Sequence, residues 1–159
     1  MTVEHQLCTF YVAGQLFGVP VEQVQEVMRD HATTRVPLAP APVAGLINLR
    51  GQIVPIVELR RCLSLPALGP DEYAENVVLT TDAGAVSLRV DAVEDVITVN
   101  SDAFEATPDN VRGLTRRLVR GVYKLERGLL LELSTPVVLE LAVSVDPIDE
   151  ELPVGAFNG

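Results

Sequence analysis

The residue types that perform catalysis or bind metals are few in this chain and stand far apart. His5 and His31 are its only histidines, and neither is spaced with Cys, Asp or Glu in the pattern of a zinc or iron site. The sequence has no Gly-x-Ser-x-Gly nucleophile elbow, no phosphate-binding loop ending in Lys-Ser/Thr and no dinucleotide-binding fingerprint. Adjacent carboxylates such as Glu94 and Asp95 are typical of solvated surface. The sequence therefore predicts no catalytic residues, no metal and no cofactor.

Two further groups of reactive or charged side chains favour structural interpretations. Cys8 and Cys62 lie far apart among apolar neighbours, which favours buried thiols in a reduced, cytoplasmic setting over a disulfide or a reactive cysteine. Four arginines cluster on one short stretch, and such a run is interpreted first as a solvated face that neutralises nearby acid, with a docking patch as the alternative. These are Arg112, Arg116, Arg117 and Arg120.

Length and charge exclude several classes of protein. A chain of 159 residues allows one compact domain or two very small ones. Its 22 acidic and 12 basic residues give a net charge of −10, which repels a phosphate backbone and anionic lipid. The longest uncharged stretch, residues 36–49, is interrupted by prolines and is shorter than the ~20 apolar residues of a membrane helix. We expect neither nucleic-acid binding nor direct membrane insertion.

Short apolar runs separated by Gly, Pro, Asn and Asp predict an all-β chain. Residues 7–12 and 16–19 flank the turn Ala13-Gly14-Gln15, and residues 76–81 and 85–90 flank the turn Asp82-Ala83-Gly84. Both patterns are typical of hairpins. We predict only short helices, at residues 21–28, 57–63 and 135–141.

The features after the first hairpin recur in the same order after the second. Val19, Val21, Val24, Glu26 and Val27 correspond to Leu88, Val90, Val93, Asp95 and Val96; residues 43–46 correspond to 119–122, and Arg50-Gly51 to Arg127-Gly128. This order predicts two related β units that share a hydrophobic interface, because about 70 residues alone bury little surface. We expect one domain over residues 6–142, with lobes at roughly 6–70 and 71–142, strands possibly exchanged between them, and an acidic flexible tail at 143–159.

The stretch VAGLINLRGQIVPIVELR at residues 43–60 is long and distinctive. It resembles the signature of the CheW family of bacterial chemotaxis coupling proteins. The likeness continues in Phe17-Gly18-Val19, in VQEV at 24–27, in VDAVEDV at 90–96 and in residues 121–141, so that it covers nearly the whole chain.

This resemblance implies two SH3-like five-stranded β-barrels on a common core and a non-enzymatic adaptor. The adaptor would couple the cytoplasmic tips of chemoreceptors to the regulatory domain of a sensor histidine kinase, in receptor arrays at the inner face of the cell membrane. The residues that match the family's docking surface are Val24 and Glu26 in the predicted helical turn, and Gly45, Asn48, Arg50 and Gly51 around the signature turn. The matching Glu and Arg lie close together in the family.

The residues support a turn at this position without the resemblance. Gly51 can adopt a positive φ, and Asn48 can hydrogen-bond its own backbone. By themselves Glu26 and Arg50 would be interpreted as solvated surface residues. Since an exposed ion pair contributes little to stability, recognition is the better reason for pairing them.

Three functional hypotheses remain open at this point. The first is a CheW-like chemotaxis adaptor. The second is an adaptor of another chemosensory pathway, such as surface motility, development or second-messenger control. The third, from a different class, is a small β-barrel enzyme or ligand-binding protein, which requires a pocket with convergent polar groups.

Overall fold

The computed structural model describes residues 2–29, 42–69 and 71–143, so the predicted tail falls almost entirely outside the described residues. Eleven strands and three short α-helices follow one another along these residues. In chain order they are β1 (Glu4–Val12), β2 (Gln15–Pro20), β3 (Val24–Arg29), β4 (Val43–Leu49), β5 (Gln52–Glu58), α1 (Leu59–Cys62), β6 (Glu75–Thr81), β7 (Gly84–Val90), β8 (Ala92–Asn100), β9 (Phe104–Glu105), α2 (Gly113–Leu118), β10 (Val119–Leu125), β11 (Gly128–Leu133) and α3 (Thr135–Val143).

The strands form two sheets. The six-stranded sheet has the order β8-β1-β2-β11-β10-β9, and the five-stranded sheet has the order β3-β6-β7-β5-β4. The prediction of an all-β chain with two β units and a few short helices is confirmed. One sheet has six strands instead of five because the two-residue strand β9 adds to the edge of β10. Each sheet contains strands from both halves of the chain, so neither 6–70 nor 71–142 holds a complete sheet.

The repeated sequence pattern corresponds to a repeated structure. In each sheet the second strand of one hairpin pairs in parallel with a strand of the other unit: β2 of the first hairpin pairs with β11, and β7 of the second hairpin pairs with β5. Both units also have an irregular register at the same place, between Val43 and Gly45 in β4 and between Val119 and Gly121 in β10. The valine-rich segments become β3 and β8, each of which pairs antiparallel with a hairpin strand.

Three hydrophobic clusters hold the fold together. One belongs to the six-stranded sheet and includes Leu7 of β1, and a second belongs to the five-stranded sheet and includes Ile56 of β5. The third and largest joins the two sheets and includes Phe10 of β1 and Leu88 of β7. Alternate residues of β1 therefore contribute to different clusters, which explains why its apolar residues are nearly continuous. The predicted hydrophobic interface between the two β units is present.

The helix predicted at residues 21–28 is wrong. Only Val21–Gln23 forms a single 3-10 turn, and the following residues are strand β3, paired with β6. Along β3 half-buried residues alternate with exposed ones, with Val24, Glu26 and Met28 on the half-buried side. Valines spaced by three fit one face of a helix. Pairing with the neighbouring strand β6 nevertheless stabilises β-branched residues more than a short helix does. Val24 and Glu26, which the resemblance assigns to docking, therefore lie on a strand.

Of the other two predicted helices, one is present in part and one in full. Residues 57 and 58 belong to β5, and only Leu59–Cys62 of the predicted helix 57–63 is α-helical. The helix predicted at 135–141 is present and extends to Val143. The sequence does not predict helix α2, because the helix begins at a glycine with φ +67° and includes Arg116 and Arg117, whose run of arginines indicates a solvated surface.

Gly121 of β10 lies against the edge strand β9, and a side chain there would collide with it. A Cβ atom on Gly121 would stand 2.1 Å from Cζ of Phe104 and 2.8 Å from the backbone oxygen of Glu105. We expect Gly121→Ala to lower the free energy of unfolding by about 1–3 kcal/mol, since an overpacked site must displace its neighbours. Urea denaturation measures this loss. Gly69→Ala, whose nearest atom is 3.4 Å away, is the control. Equal stability of both variants would contradict the packing of β9 on β10.

An ion pair lies where the chain passes from one sheet to the other. Asp91 lies between β7 of the five-stranded sheet and β8 of the six-stranded sheet. Arg60 of α1 donates Nε to Oδ1 of Asp91 at 2.8 Å and Nη2 to Oδ2 at 2.6 Å, and the backbone N–H of Ala13 donates to Oδ2 at 2.8 Å. Burial raises the pKa of Asp91, but the hydrogen bonds and the charge of Arg60 more than offset this, so its pKa lies below the ordinary value.

We expect Asp91→Asn to lower the free energy of unfolding at neutral pH by about 1.5–3 kcal/mol, because charge-assisted hydrogen bonds are lost. A depressed pKa in the folded state stabilises the fold above the unfolded pKa, and this contribution is lost as the pH falls through the folded value. The gap between wild type and variant should therefore close in strong acid. Urea denaturation as a function of pH measures the gap, with Asp95→Asn as the control at an exposed carboxylate. A gap that is independent of pH would contradict the role of the Asp91 charge.

Candidate functional site

The turn between β4 and β5 presents Arg50 to solvent. Leu49 pairs with Gln52, so the loop has two residues, Arg50 with φ 52° and Gly51 with φ 86°. Two positive φ values match the twist of the flanking strands. The N–H of Gly51 donates to Oδ1 of Asn48 at 2.9 Å, as the sequence predicts. The Asn48 side chain therefore stabilises the turn. The Arg50 side chain is 66% exposed.

Arg50 forms an ion pair with Glu26. Its Nη1 lies 3.4 Å from Oε1 of Glu26, and its Nη2 makes a shorter contact with Oε2. Glu26 is on β3, at one end of the five-stranded sheet, whereas Arg50 follows β4, at the other end. The ion pair thus joins the first and last strands and shows that the sheet curls until its edges approach each other.

The two charges of this pair adjust each other. The hydrogen bonds from Arg50 lower the pKa of Glu26, and Glu26 raises the pKa of Arg50. Gln25, the neighbour of Glu26 on β3, is held in turn by the hydroxyl of Thr80, which donates to its Oε1 at 2.5 Å. At neutral pH the site is therefore a charged and oriented Glu–Arg pair at the edges of the five-stranded sheet. Such a pair suits recognition of a polar partner.

The remaining predicted residues have different surroundings. Val24 is half-buried and packs against the cluster between the two sheets, two residues before Glu26 on β3. Gly45 is buried in β4 with φ 155°, at the register shift opposite Ile56, and so shapes the strand rather than presenting a contact surface. The structure therefore groups Glu26, Asn48, Arg50 and Gly51 at the β4–β5 turn, while Val24 and Gly45 support the strands that carry them.

The ion pair is present in only one of the two units. The counterpart of Glu26 is Asp95 on β8, and the counterpart of the Arg50 turn contains Arg127. Within the described part of the chain, neither Asp95 nor Arg127 takes part in an ion pair. The pair is therefore a feature of one unit and not of the repeated fold.

Two exposed apolar side chains are close to the pair in the chain, and the sequence analysis does not single them out. Val27, next to Glu26, is 40% exposed, and Ile53, three residues after Arg50, is 58% exposed. Residues 24–29, VQEVMR, do not alternate apolar and polar side chains, so no local signal in the sequence places Val27 on the solvent side.

Chemistry-bearing side chains do not converge elsewhere in the described residues. No three His, Cys, Asp or Glu residues among them are grouped so as to hold a metal ion. Cys8 and Cys62 are free and buried, and burial raises the pKa of the Cys62 thiol to about 12. No described helix is long and apolar enough to cross a membrane.

The arginine cluster is largely engaged with nearby groups. Arg117 pairs with Glu140 of α3 at 2.8 Å, and Arg120 pairs with the buried Glu132 at 2.7 Å. Arg116 donates Nη1 to the carbonyl oxygens of Pro108 and Val111 instead of to a carboxylate. The cluster thus combines surface neutralisation with support of the chain before α2.

Two β sheets that share a hydrophobic core and are formed by two related halves of the chain define a small β-barrel protein. The family model of the CheW-like domain matches residues 6–143, and the chain belongs to this family of chemotaxis adaptors.

Similar proteins carry the same assignment. The chain is 36% identical over 125 residues to the chemotaxis protein CheW of Rhizobium meliloti, covering 79% of this chain and 81% of the relative. It is 28% identical over 146 residues to CheW of Bacillus subtilis, covering 92% and 94%. The crystal structure of the scaffolding protein TtCheW from Thermoanaerobacter tengcongensis has a TM-score of 0.74 at 26% identity, covering 83% and 90%. A shorter match, 36% over 61 residues and 38% of each chain, is to protein FrzA of Myxococcus xanthus.

Proposed function

We propose that this chain is a non-catalytic adaptor that couples chemoreceptors to a sensor histidine kinase. Its partners are the regulatory domain of the kinase and the cytoplasmic tips of the receptors, and it works in the cytoplasm at receptor arrays on the inner face of the cell membrane. The observation that carries this proposal is the Glu26–Arg50 pair, in which Arg50 is exposed and lies on a turn that the Asn48 side chain stabilises. Among the described residues, the counterparts Asp95 and Arg127 form no such pair.

Binding and kinase activation in a purified system test this proposal. Calorimetric titration of the chain with the regulatory domain, and separately with a receptor signalling fragment, should give saturable binding in both cases. Autophosphorylation of the kinase should then respond to the receptor only when the chain is present. Binding to neither partner, or receptor control of the kinase without the chain, would contradict the adaptor role.

An adaptor of a different chemosensory pathway remains the second candidate. The match to FrzA, which covers only part of each chain, is the observation that favours it. The surface pair would serve the same docking role in either pathway. Recovery of the cognate kinase and receptors by pull-down from the source cell distinguishes the two candidates, because each pathway has its own kinase.

A further inference from the structure

The strand that carries Glu26 contains one residue more than the part of β6 with which it pairs. Val24 lies opposite Leu79 of β6. The next pair of the register is Glu26 with Val78, which leaves Gln25 without an opposite residue. An extra residue of this kind is a β-bulge, which bends its strand and changes the direction of the side chains that follow.

The bulge changes the face of the sheet on which the following residues lie. Residues an even number of positions apart on a regular strand share a face. Val24 packs against the cluster between the two sheets, whereas Met28 packs against the cluster of the five-stranded sheet. Glu26 comes after the bulge, opposite Val78 of the latter cluster, so it shares the face of Met28. The bulge thus places Glu26 on the side from which it pairs with Arg50.

Hydrogen bonds between side chains connect the bulge to the ion pair. The hydroxyl of Thr80 on β6 donates to Oε1 of Gln25 at 2.5 Å, and the same amide donates its Nε2 to Oε2 of Glu26 at 3.4 Å. A flipped amide would turn its oxygen towards the Glu26 carboxylate, so the negative charge favours the orientation in which Thr80 donates. Thr80, Gln25 and Glu26 therefore form a directed chain of hydrogen bonds that ends at Arg50.

The second unit has an irregular register at the corresponding place but not this chain of side chains. Thr9 of β1 faces the two residues Glu94 and Asp95 of β8, and its hydroxyl donates to the backbone oxygen of Asp95. Glu94 stands where the first unit has Gln25, and an ionised carboxylate has no N–H to donate. Within the described ranges Asp95 forms no ion pair. The hydrogen-bond chain and the ion pair thus occur together in the first unit.

We propose that Gln25 and Thr80 are positioning residues for docking, because their hydrogen bond fixes the bulge in β3 and thereby orients Glu26 towards Arg50. This inference rests on the proposed docking role of the ion pair. Thr80 acts through Gln25, and Gln25 acts through Glu26. Both residues are exposed, so their hydrogen bond contributes little to the stability of the fold. Its effect is on the orientation and the charge of Glu26.

Thr80→Val tests the positioning in the chain alone, without a partner. Valine keeps the strand preference of threonine and removes only the hydroxyl. Gln25 is then no longer held beside Glu26. The hydrogen bonds from Arg50 and Gln25 lower the pKa of Glu26, so this pKa should rise towards its ordinary value in the variant. NMR titration of the side-chain carboxyl signal of Glu26 measures the change.

Thr98→Val is the matched control for this titration. It removes the hydroxyl of another exposed threonine on a strand, in β8 of the six-stranded sheet. Both variants should unfold at the temperature of the unsubstituted chain, and Thr98→Val should leave the pKa of Glu26 unchanged. An unchanged pKa of Glu26 in Thr80→Val as well would overturn the proposal.

Calorimetric titration with the kinase regulatory domain and with the receptor fragment tests whether the positioning serves docking. Thr80→Val should weaken binding by about three- to tenfold, which corresponds to the loss of one hydrogen bond. Gln25→Met removes the amide, so adding Thr80→Val to it should weaken binding no further. Equal weakening by Thr80→Val with and without Gln25→Met would mean that the hydroxyl contacts the partner directly, and this result would overturn the proposal.

The two measurements separate failure of this proposal from failure of the proposed function. If Arg50→Glu weakens binding but Thr80→Val does not, the ion pair takes part in docking and the positioning proposal is overturned. If the unsubstituted chain binds neither partner while Thr80→Val raises the pKa of Glu26, the docking function is overturned and the orientation of Glu26 by Thr80 is supported.

Discussion

Arg50→Glu is expected to weaken binding of the proposed kinase regulatory domain or receptor tip by more than about thirtyfold, because a reversed arginine at an interface centre repels what it formerly paired with. The fold should survive. The side chain is 66% exposed, and its backbone already has φ 52°, a conformation that glutamate adopts no worse than arginine. Titration calorimetry with each partner measures the binding loss, and thermal unfolding of the variant alone measures its stability.

Arg127→Glu is the matched control for this experiment. It makes the same charge change at an exposed arginine in the corresponding turn of the second unit, where the described structure contains no ion pair. It should leave affinity within a few fold of wild type. Equal weakening by both variants would indicate a general effect of net charge, and an unfolded Arg50→Glu chain would show that the residue is structural.

The double reversal Glu26→Arg with Arg50→Glu separates the pair's structural role from its recognition role. It rebuilds the bridge between β3 and the β4–β5 turn with the charges exchanged, so thermal stability should return to that of wild type. Binding should not return, because the partner would meet inverted charges. Full recovery of affinity would mean that the pair only shapes the turn and contacts no partner.

Neither half of the chain, divided near Pro70, is expected to fold alone. The first half would contain β1 and β2 without the four other strands of the six-stranded sheet, and β3, β4 and β5 without β6 and β7 between them. It would also lose half of the cluster that joins Phe10 to Leu88. Open edges and exposed apolar faces of this size leave too little burial to offset chain entropy. Amide spectra of each half should therefore lack dispersion, with no cooperative thermal transition.

Co-expression of the two halves supplies the control for this prediction. Because the interrupted connection lies between α1 and β6 and crosses no sheet, the halves should associate and recover the dispersed spectrum of the intact chain. A dispersed spectrum and a sharp transition for either half by itself would contradict the shared-core argument. If both halves stay unfolded and do not associate, the loss of structure results from cutting the chain and not from dividing the core.

The hairpins, the internal repeat and the β4–β5 turn could be read from the chain because each depends on neighbouring residues. Alternation in residues 7–12 and 85–90 and the glycine at 51 act over a few positions, and the structure has β1, β7 and the turn where they predict them. The helix predicted at residues 21–28 is wrong for the opposite reason. Their valine spacing suits a helix as well as a strand, and β6, some fifty residues later, decides between them.

By itself the sequence determined the class of fold, the family and the residues of the signature turn, since composition, periodicity and turn chemistry are properties of the chain. Tertiary structure decided which strands exchange between sheets, that Glu26 and Arg50 meet across the two edges of one sheet, and that their counterparts Asp95 and Arg127 do not. Those outcomes depend on contacts between residues far apart in the chain. Such contacts are fixed only when the sheets curl and close over a common core, because strand pairing and apolar burial then select one arrangement for the whole domain.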